Sequence, residues 1–286
     1  MRGVHCLRAL LAAKEPVAGV LGHGGTEASE AAKLAAGAGL PYLAPKSPNE
    51  PAALAWARGL GCRLAIMSGY SRIVRKAFLD AFSDGVINLH GGPLPAYRGG
   101  SPLNWQILRG EREIGISVMF TDEGIDTGPL LARDAFPLGP DETIDEVVAK
   151  TLPRFERLLL GVLDAKRRGA LRPAAQDPAG ARYFARRLPE DGFIDWRALT
   201  AQQVHDLVRA LSGSYPGAFS FHRGRKVVLE KTRRLDETIV APPGRVLARR
   251  AEGVEVACAD RALLVVAARD ELPKRDETFD RAPPPS

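Results

Sequence analysis

Asn88 and His90 are the first pair in this chain that could do chemistry. They interrupt Val86, Ile87 and Leu89, an apolar run that reads as a β-strand. A period of two places both polar side chains on one face near the carboxyl end of that strand. A loop dense in Gly and Pro follows over residues 91–100, where regular structure cannot continue. Two hydrogen-bond donors side by side suit a developing oxyanion. A capping Asn and a satisfied buried His are the commoner fate of such a pair, so both readings stand at this point.

Asp126 is the third candidate. It lies in the polar loop 122–128, after a strand expected over 115–121. An opposite charge within about 4–6 Å raises a histidine pKa, so Asp126 beside His90 would favour an imidazolium that donates protons. The same residue type also closes Asx-turns, and from the loop alone turn and catalysis are equally open. No nucleophile accompanies the set. Ser68 has no GxSxG elbow, and Ser71 and Ser101 have no paired base. No GxGxxG follows a strand and no GxxxxGK[ST] occurs. Cys6, Cys62 and Cys258 are scattered without metal-ligand spacing, so no metal is expected and the thiols read as structural. Direct group transfer, by positioning, oxyanion stabilisation and proton shuttling, fits what remains.

The elements that must position these residues alternate. Residues 3–14 read as a helix with Val4, Leu7, Leu10 and Leu11 on one stripe; 17–21 as a short buried strand; 26–38 as a helix. A strand over 40–43, a helix over 51–60 and a strand over 64–67 follow, the last running into Ser68-Gly69-Tyr70-Ser71. This alternation predicts an α/β fold with a doubly wound, mostly parallel sheet, whose ligands sit beyond the carboxyl ends of the strands. Ser101 is expected to cap a helix with Pro102 at its first position. Strands over 115–121 and 129–136 precede a long helix over 143–168 that contains Pro153. Beyond it the composition shifts. A Pro- and Ala-rich stretch without periodicity reads as a linker, then a short helix over 200–211 and several short strands suggest a small all-β, OB-like barrel.

Length and composition bound the rest. With 286 residues two domains are the better expectation, and 45% hydrophobic with 26% charged residues is ordinary for a globular protein. No apolar run could span a bilayer and no secretory signal opens the chain, so a cytoplasmic location is expected. A net charge of +6 permits an anionic partner such as a nucleotide, a folate or RNA without requiring one.

The runs Asn88-Leu89-His90, 94–99 (Leu-Pro-Ala-Tyr-Arg-Gly) and 122–128 (Asp-Glu-Gly-Ile-Asp-Thr-Gly), in this order, resemble the 10-formyltetrahydrofolate-dependent formyltransferases. Residues 181–196 and 215–219 (Tyr-Pro-Gly-Ala-Phe) are similar to the linker and C-terminal barrel of the branch that holds methionyl-tRNA and amino-sugar formyltransferases. With the composition shift near residue 169 and the charge- and Pro-rich stretch from residue 269, the domains expected are a catalytic domain over 1–169, a linker over 170–198, a barrel over 199–268 and a disordered tail over 269–286. The resemblance implies that Asn88, His90 and Asp126 are the catalytic set: a primary amine attacks the formyl carbon, Asn88 and His90 hold the oxyanion, and Asp126 keeps His90 charged and relays the amine proton. The co-substrate implied is 10-formyltetrahydrofolate, held by Ser68, Gly69, Tyr70 and Ile73 and by the loop residues Asp122, Glu123, Gly124 and Ile125. Pro95 matches a sharp turn, with a cis bond expected.

For the acceptor, Arg98, Ser101, Pro102 and Trp105 are expected to bind substrate. Residues 101–105 and 183–187 look closer to the amino-sugar nucleotide enzymes, so a nucleotide sugar is the expected acceptor. Initiator methionyl-tRNA is the alternative that the barrel and the positive charge keep open, and a non-catalytic folate- or nucleotide-binding remnant is a second. The family also opens with a strand and a Gly-containing loop ahead of the helix matched here by residues 3–11. The sheet is therefore expected to lack its first strand. A start placed downstream of the true one is expected, because an unfilled slot in a parallel sheet leaves two unpaired edges.

Overall fold

A computed structural model describes residues 2–23, 29–236 and 241–280. The helix expected over 26–38 and the tail expected over 269–286 therefore fall partly outside the described residues, at 26–28 and 281–286. The chain divides into two compact units.

The first unit holds residues 1–102, 115–136 and 149–184. Helix α1 (Arg2–Ala12) buries Val4, Cys6, Leu7, Ala9 and Leu10 on one stripe. Strand β1 (Val20–Leu21) pairs in parallel with β2 (Tyr42–Leu43), and α2 (Glu30–Gly37) lies between them in sequence. Ser29 caps α2 by accepting the Ala32 N–H at 3.2 Å. Helix α3 (Pro51–Gly59) begins on Pro51, whose fixed φ suits a first turn. Strand β3 (Ala65–Ser68), helix α4 (Lys76–Leu79) and strand β4 (Val86–His90) follow, then β5 (Arg98–Gly99), α5 (Pro102–Leu108), β6 (Glu113–Phe120), β7 (Leu130–Pro137), α6 (Ile144–Arg167) and β8 (Tyr183–Phe184). The last of these pairs in parallel with β5.

The main sheet has the order β3-β4-β6-β7 and forms no ladder with the β1–β2 pair among the described residues. Val86, Ile87 and Leu89 are at most 1% exposed, and Ile114, Ile116 and Val118 on the neighbouring β6 are fully buried. The sheet is parallel from β3 to β4 and reverses at β6, which runs antiparallel to β4.

The second unit holds residues 103–114, 137–148 and 185–286. Helix α7 (Ala201–Ala210) starts on a capping box in which Thr200 and Gln203 bond each other's backbone N–H. Strands β9 (Ala218–His222), β10 (Arg225–Arg234), β11 (Val246–Arg250), β12 (Gly253–Ala257) and β13 (Ala262–Ala268) form one antiparallel sheet of order β11-β12-β13-β10-β9. Ile194, Trp196, Val204, Leu229, Val256 and Leu263 are its core. Cys258 is buried there, and burial pushes its thiol up to about 12. No described helix is long and apolar enough to cross a membrane.

Two expectations need correcting. The charged segment from Arg269, expected to be disordered, is packed as far as Asp280: Phe279 is 2% exposed, stacks on Trp196 with ring centroids 5.1 Å apart, and follows Thr278, which bridges Arg245. The apolar surface of one aromatic residue outweighs the polar composition around it. The expected linker is not a free tether either. Ala174 bridges Leu130, β8 pairs with β5, and Ile194 and Trp196 are buried. Its missing periodicity reflects segments that pair across long sequence separations rather than with themselves.

Candidate functional site

Strand β4 presents Asn88 and His90 on one face, opposite Met119 and Ser117 of β6. His90 is 5% exposed. Its Nε2 donates to the Tyr97 carbonyl at 2.6 Å, and since a carbonyl can only accept, that nitrogen carries a proton. Its Nδ1 faces Asp126 Oδ2 at 3.5 Å. The Asn88 amide is half-buried and has no hydrogen-bond partner among the described residues.

Asp126 reaches His90 from a strand that runs against β4. Because β6 is antiparallel, Thr121 emerges beside the start of β4, where its N–H bonds the Val86 carbonyl at 2.7 Å. The loop then folds back, and Asp126 adopts φ +53°, a left-handed conformation that Asp tolerates better than most residues. The Gly99 N–H donates to Asp126 Oδ2 at 2.8 Å and fixes the carboxylate. Asp122 closes an Asx-turn, accepting from the Gly124 N–H and the Thr127 hydroxyl at 3.1 and 2.6 Å.

The turn after β4 is held as firmly. Ser117 donates to the Gly92 carbonyl at 2.8 Å and accepts the Leu94 N–H at 3.1 Å. The Leu94–Pro95 bond is cis. A Cβ on Gly92 would lie 2.8 Å from the Tyr97 Cβ and 3.0 Å from His90 Nε2, so only glycine leaves the imidazole its place. Gly99 has φ +97°, and a Cβ there would lie 2.2 Å from the Phe184 carbonyl oxygen, so β5 and β8 pair only with glycine at that position.

Burial sets the charge of His90. Desolvation outweighs the Asp126 carboxylate and the Tyr97 carbonyl, with Arg2 adding to it, and holds the His90 pKa below its ordinary value of 6.5. Burial thus outweighs the raising effect expected of Asp126 and favours the neutral form of the ring, in which Nδ1 can accept a proton.

The expected co-substrate residues lie on two segments. Ser68 ends β3 and donates to Cys6 at 3.2 Å; Gly69 has φ +67°. Tyr70 stacks on His23 with centroids 4.5 Å apart, its buried hydroxyl has no hydrogen-bond partner among the described residues, and burial raises its pKa. Ile73 and Ile125 are 71% and 55% exposed, unusual for isoleucine, and Glu123 and Gly124 are exposed beside the latter.

The acceptor residues fare differently. Arg98 is 5% exposed and is used internally: Nε and Nη2 donate to Gln176 Oε1 at 3.1 and 2.9 Å, and Nη1 to the Tyr183 hydroxyl at 2.9 Å. Ser101 has φ +50°, outside the extended region usual for a helix cap, and Pro102 starts α5. Trp105 belongs to the second unit, where its indole N–H donates to the Ala185 carbonyl at 2.8 Å and Arg187 lies 5.0 Å over the ring. Sequence reasoning missed Gln176, Ser117 and the backbone groups of Tyr97 and Gly99, for which no local pattern exists.

The site therefore sets a buried imidazole between a backbone carbonyl and a carboxylate, at the end of a strand in an α/β sheet that a small β unit follows in the chain. Residues 9–163 match the model of the formyl transferase family, and residues 188–275 match that of the formyl transferase C-terminal domain. The chain belongs to the formyl transferase family. It is 39% identical over 235 residues to a methionyl-tRNA formyltransferase of Sorangium cellulosum, covering 82% of this chain and 75% of that one. A methionyl-tRNA formyltransferase of Desulfotalea psychrophila is 34% identical over 94% of this chain and 85% of its own. Among solved structures, HypX from Aquifex aeolicus in complex with tetrahydrofolic acid shares the fold with a TM-score of 0.63 at 23% identity; the match covers 88% of this chain and 44% of that one.

These comparisons correct the expected acceptor. Five relatives, 33–39% identical over 82–94% of this chain, are all named methionyl-tRNA formyltransferase, against the nucleotide sugar read from residues 101–105 and 183–187. Two of the side chains in those runs, Trp105 and Tyr183, have structural partners in Ala185 and Arg98, and so report the fold rather than the acceptor.

Proposed function

We propose that this chain transfers the formyl group of 10-formyltetrahydrofolate to the amino group of methionine carried by initiator tRNA. The observation that carries the chemistry is the buried His90–Asp126 pair, with the half-buried Asn88 on the same face of β4. The amine nitrogen attacks the formyl carbon, and Asn88 donates to the carbonyl oxygen as it gains charge. His90 takes the amine proton at Nδ1, and Asp126 stabilises the imidazolium that results. The carbon–N10 bond then breaks, and the proton passes to the departing folate nitrogen.

The exposed side chains of Ile73 and Ile125 supply apolar surface for a flat heterocycle, and the folate bound to HypX supports the same class of co-substrate. The names of the relatives support the acceptor. The positive charge of the chain suits it: β10 carries Arg225, Lys226, Lys231, Arg233 and Arg234 at exposed positions, and an RNA backbone is a polyanion. The test is an assay with purified chain, 10-formyltetrahydrofolate and methionyl initiator tRNA. Formylmethionyl-tRNA is the expected product; formate released without tRNA formylation would replace the reading with hydrolysis of the donor, and no turnover would overturn it.

A further inference from the structure

Gln176 lies in the stretch that the sequence presents as a linker, yet its amide is saturated. Its Nε2 donates to the Asp126 carbonyl at 2.9 Å and to the Gly128 carbonyl at 2.7 Å, using both amide hydrogens. Its Oε1 accepts from Arg98 Nε and Nη2. Arginine has no acceptor, so the amide oxygen must face Arg98 and the amide hydrogens must face the two carbonyls. Arg98 is itself fixed by burial, by the Tyr183 hydroxyl and by the Tyr183 ring 5.5 Å away. The chain of contacts from Tyr183 through Arg98 and Gln176 ends on the backbone of the residue that faces His90.

Asp126 needs that support. It holds a left-handed φ without being glycine, a conformation that persists where the surroundings over-determine it. The Gly99 N–H restrains only its carboxylate. Gln176 holds the carbonyls on both sides of Thr127, and Asp122 holds the Thr127 hydroxyl.

We propose that Gln176 is a positioning residue: by clamping the carbonyls of Asp126 and Gly128 it sets where the Asp126 carboxylate stands relative to His90 Nδ1. The charged groups that act on His90 are Asp126 on this loop and Arg2 on α1; the Arg98 guanidinium is bound to Gln176 and Tyr183. Once the clamp is lost, Asp126 moves away from Nδ1. Its effect, which is to raise the affinity of His90 for a proton, weakens, while desolvation and Arg2 continue to lower it. The proposal rests on the reading of His90 and Asp126 as the proton-handling pair.

The test is Gln176→Leu, which keeps the size of the side chain and removes both donors. We expect kcat for formyl transfer to fall about 10–100-fold with KM unchanged, since a misplaced group costs turnover rather than binding. The acidic limb of the pH–kcat profile should move to lower pH, and the NMR titration of His90 in substrate-free protein should move with it. Gln176→Asn, which retains both amide hydrogens on a shorter arm, should lie between the two and carries the same titration if Gln176→Leu fails to fold. A kcat loss with an unmoved His90 titration would reduce Gln176 to a structural role and overturn the proposal, as would unchanged kcat. Asp126→Asn separates the two levels: full activity there sinks the reading beneath, whereas inactivity there with wild-type Gln176→Leu sinks only the clamp.

Discussion

The two units each bury a histidine, and the two sites differ in what faces Nδ1. His90 is 5% exposed and His205 is 2% exposed. In both, burial lowers the pKa, and in both Nε2 faces a backbone carbonyl, Tyr97 at 2.6 Å or Pro140 at 3.1 Å. The other nitrogen sets them apart. His205 Nδ1 meets the Thr232 hydroxyl at 2.9 Å, a group able to donate, so the neutral ring is satisfied at both ends. His90 Nδ1 meets a carboxylate at 3.5 Å, which can only accept. An acceptor facing an acceptor is complete only when a proton arrives between them. The same residue type, equally buried, is a lock in one unit and a proton acceptor in the other.

The largest effect expected from breaking this comparison is on turnover. His90→Ala should lower kcat by about 10²–10⁴-fold, the range for losing a general base, with the fold retained. His205→Ala should leave kcat near wild type but lower the unfolding free energy by about 1–3 kcal/mol, because the Pro140 carbonyl and the Thr232 hydroxyl lose a buried partner. Steady-state kinetics and urea unfolding on both variants check the pair. If His205→Ala proves the more damaging to kcat, the contrast between the sites is wrong.

A smaller effect separates the carboxylates. Asp126 has 14% of its side chain exposed and Asp141, 3.2 Å from His205, has 71%. Asp126→Asn should lower kcat about tenfold or more and move the acidic limb of the profile down, since a neutral amide no longer favours the protonated ring. Asp141→Asn should change stability by less than about 1 kcal/mol, because solvent screens an exposed carboxylate. Equal effects from the two substitutions would mean that burial of the carboxylate is irrelevant.

How much of this was legible in the sequence follows the range of the interactions involved. The period of two in Val86 to His90 put Asn88 and His90 on one face, and that placement needs only the strand itself. The capping box of Thr200 and Gln203 marks α7 just as locally. The reversal of β6 had no such signal. Parallel and antiparallel neighbours bury the same apolar run, so the strand's own residues do not say which way it runs. Arg98 and Gln176 are separated by 78 positions, and alone they read as a substrate-binding cation and a polar linker residue. Only the fold turns them into a clamp. Phe279 was hidden in the same way, as one aromatic residue inside a charged stretch.

The smallest effect is shared by the two histidines and lies in the pH dependence of stability. The folded pKa of each is below the ordinary value of 6.5, so the folded chain refuses a proton that the unfolded chain accepts. Above that value neither state takes the proton and the contribution is intact; as pH falls below 6.5 the unfolded state is progressively favoured. Glu146, which the Thr143 backbone N–H and hydroxyl hold below its ordinary 4.5, adds to the loss only at lower pH. Urea midpoints should therefore begin to drop between pH 6.5 and 5, before carboxylates titrate. His205→Gln should remove its part of that slope and leave kcat unchanged. His90→Gln should remove the other part together with the acidic limb of the kcat profile. A slope that persists undiminished in the double substitution would place the acid sensitivity elsewhere.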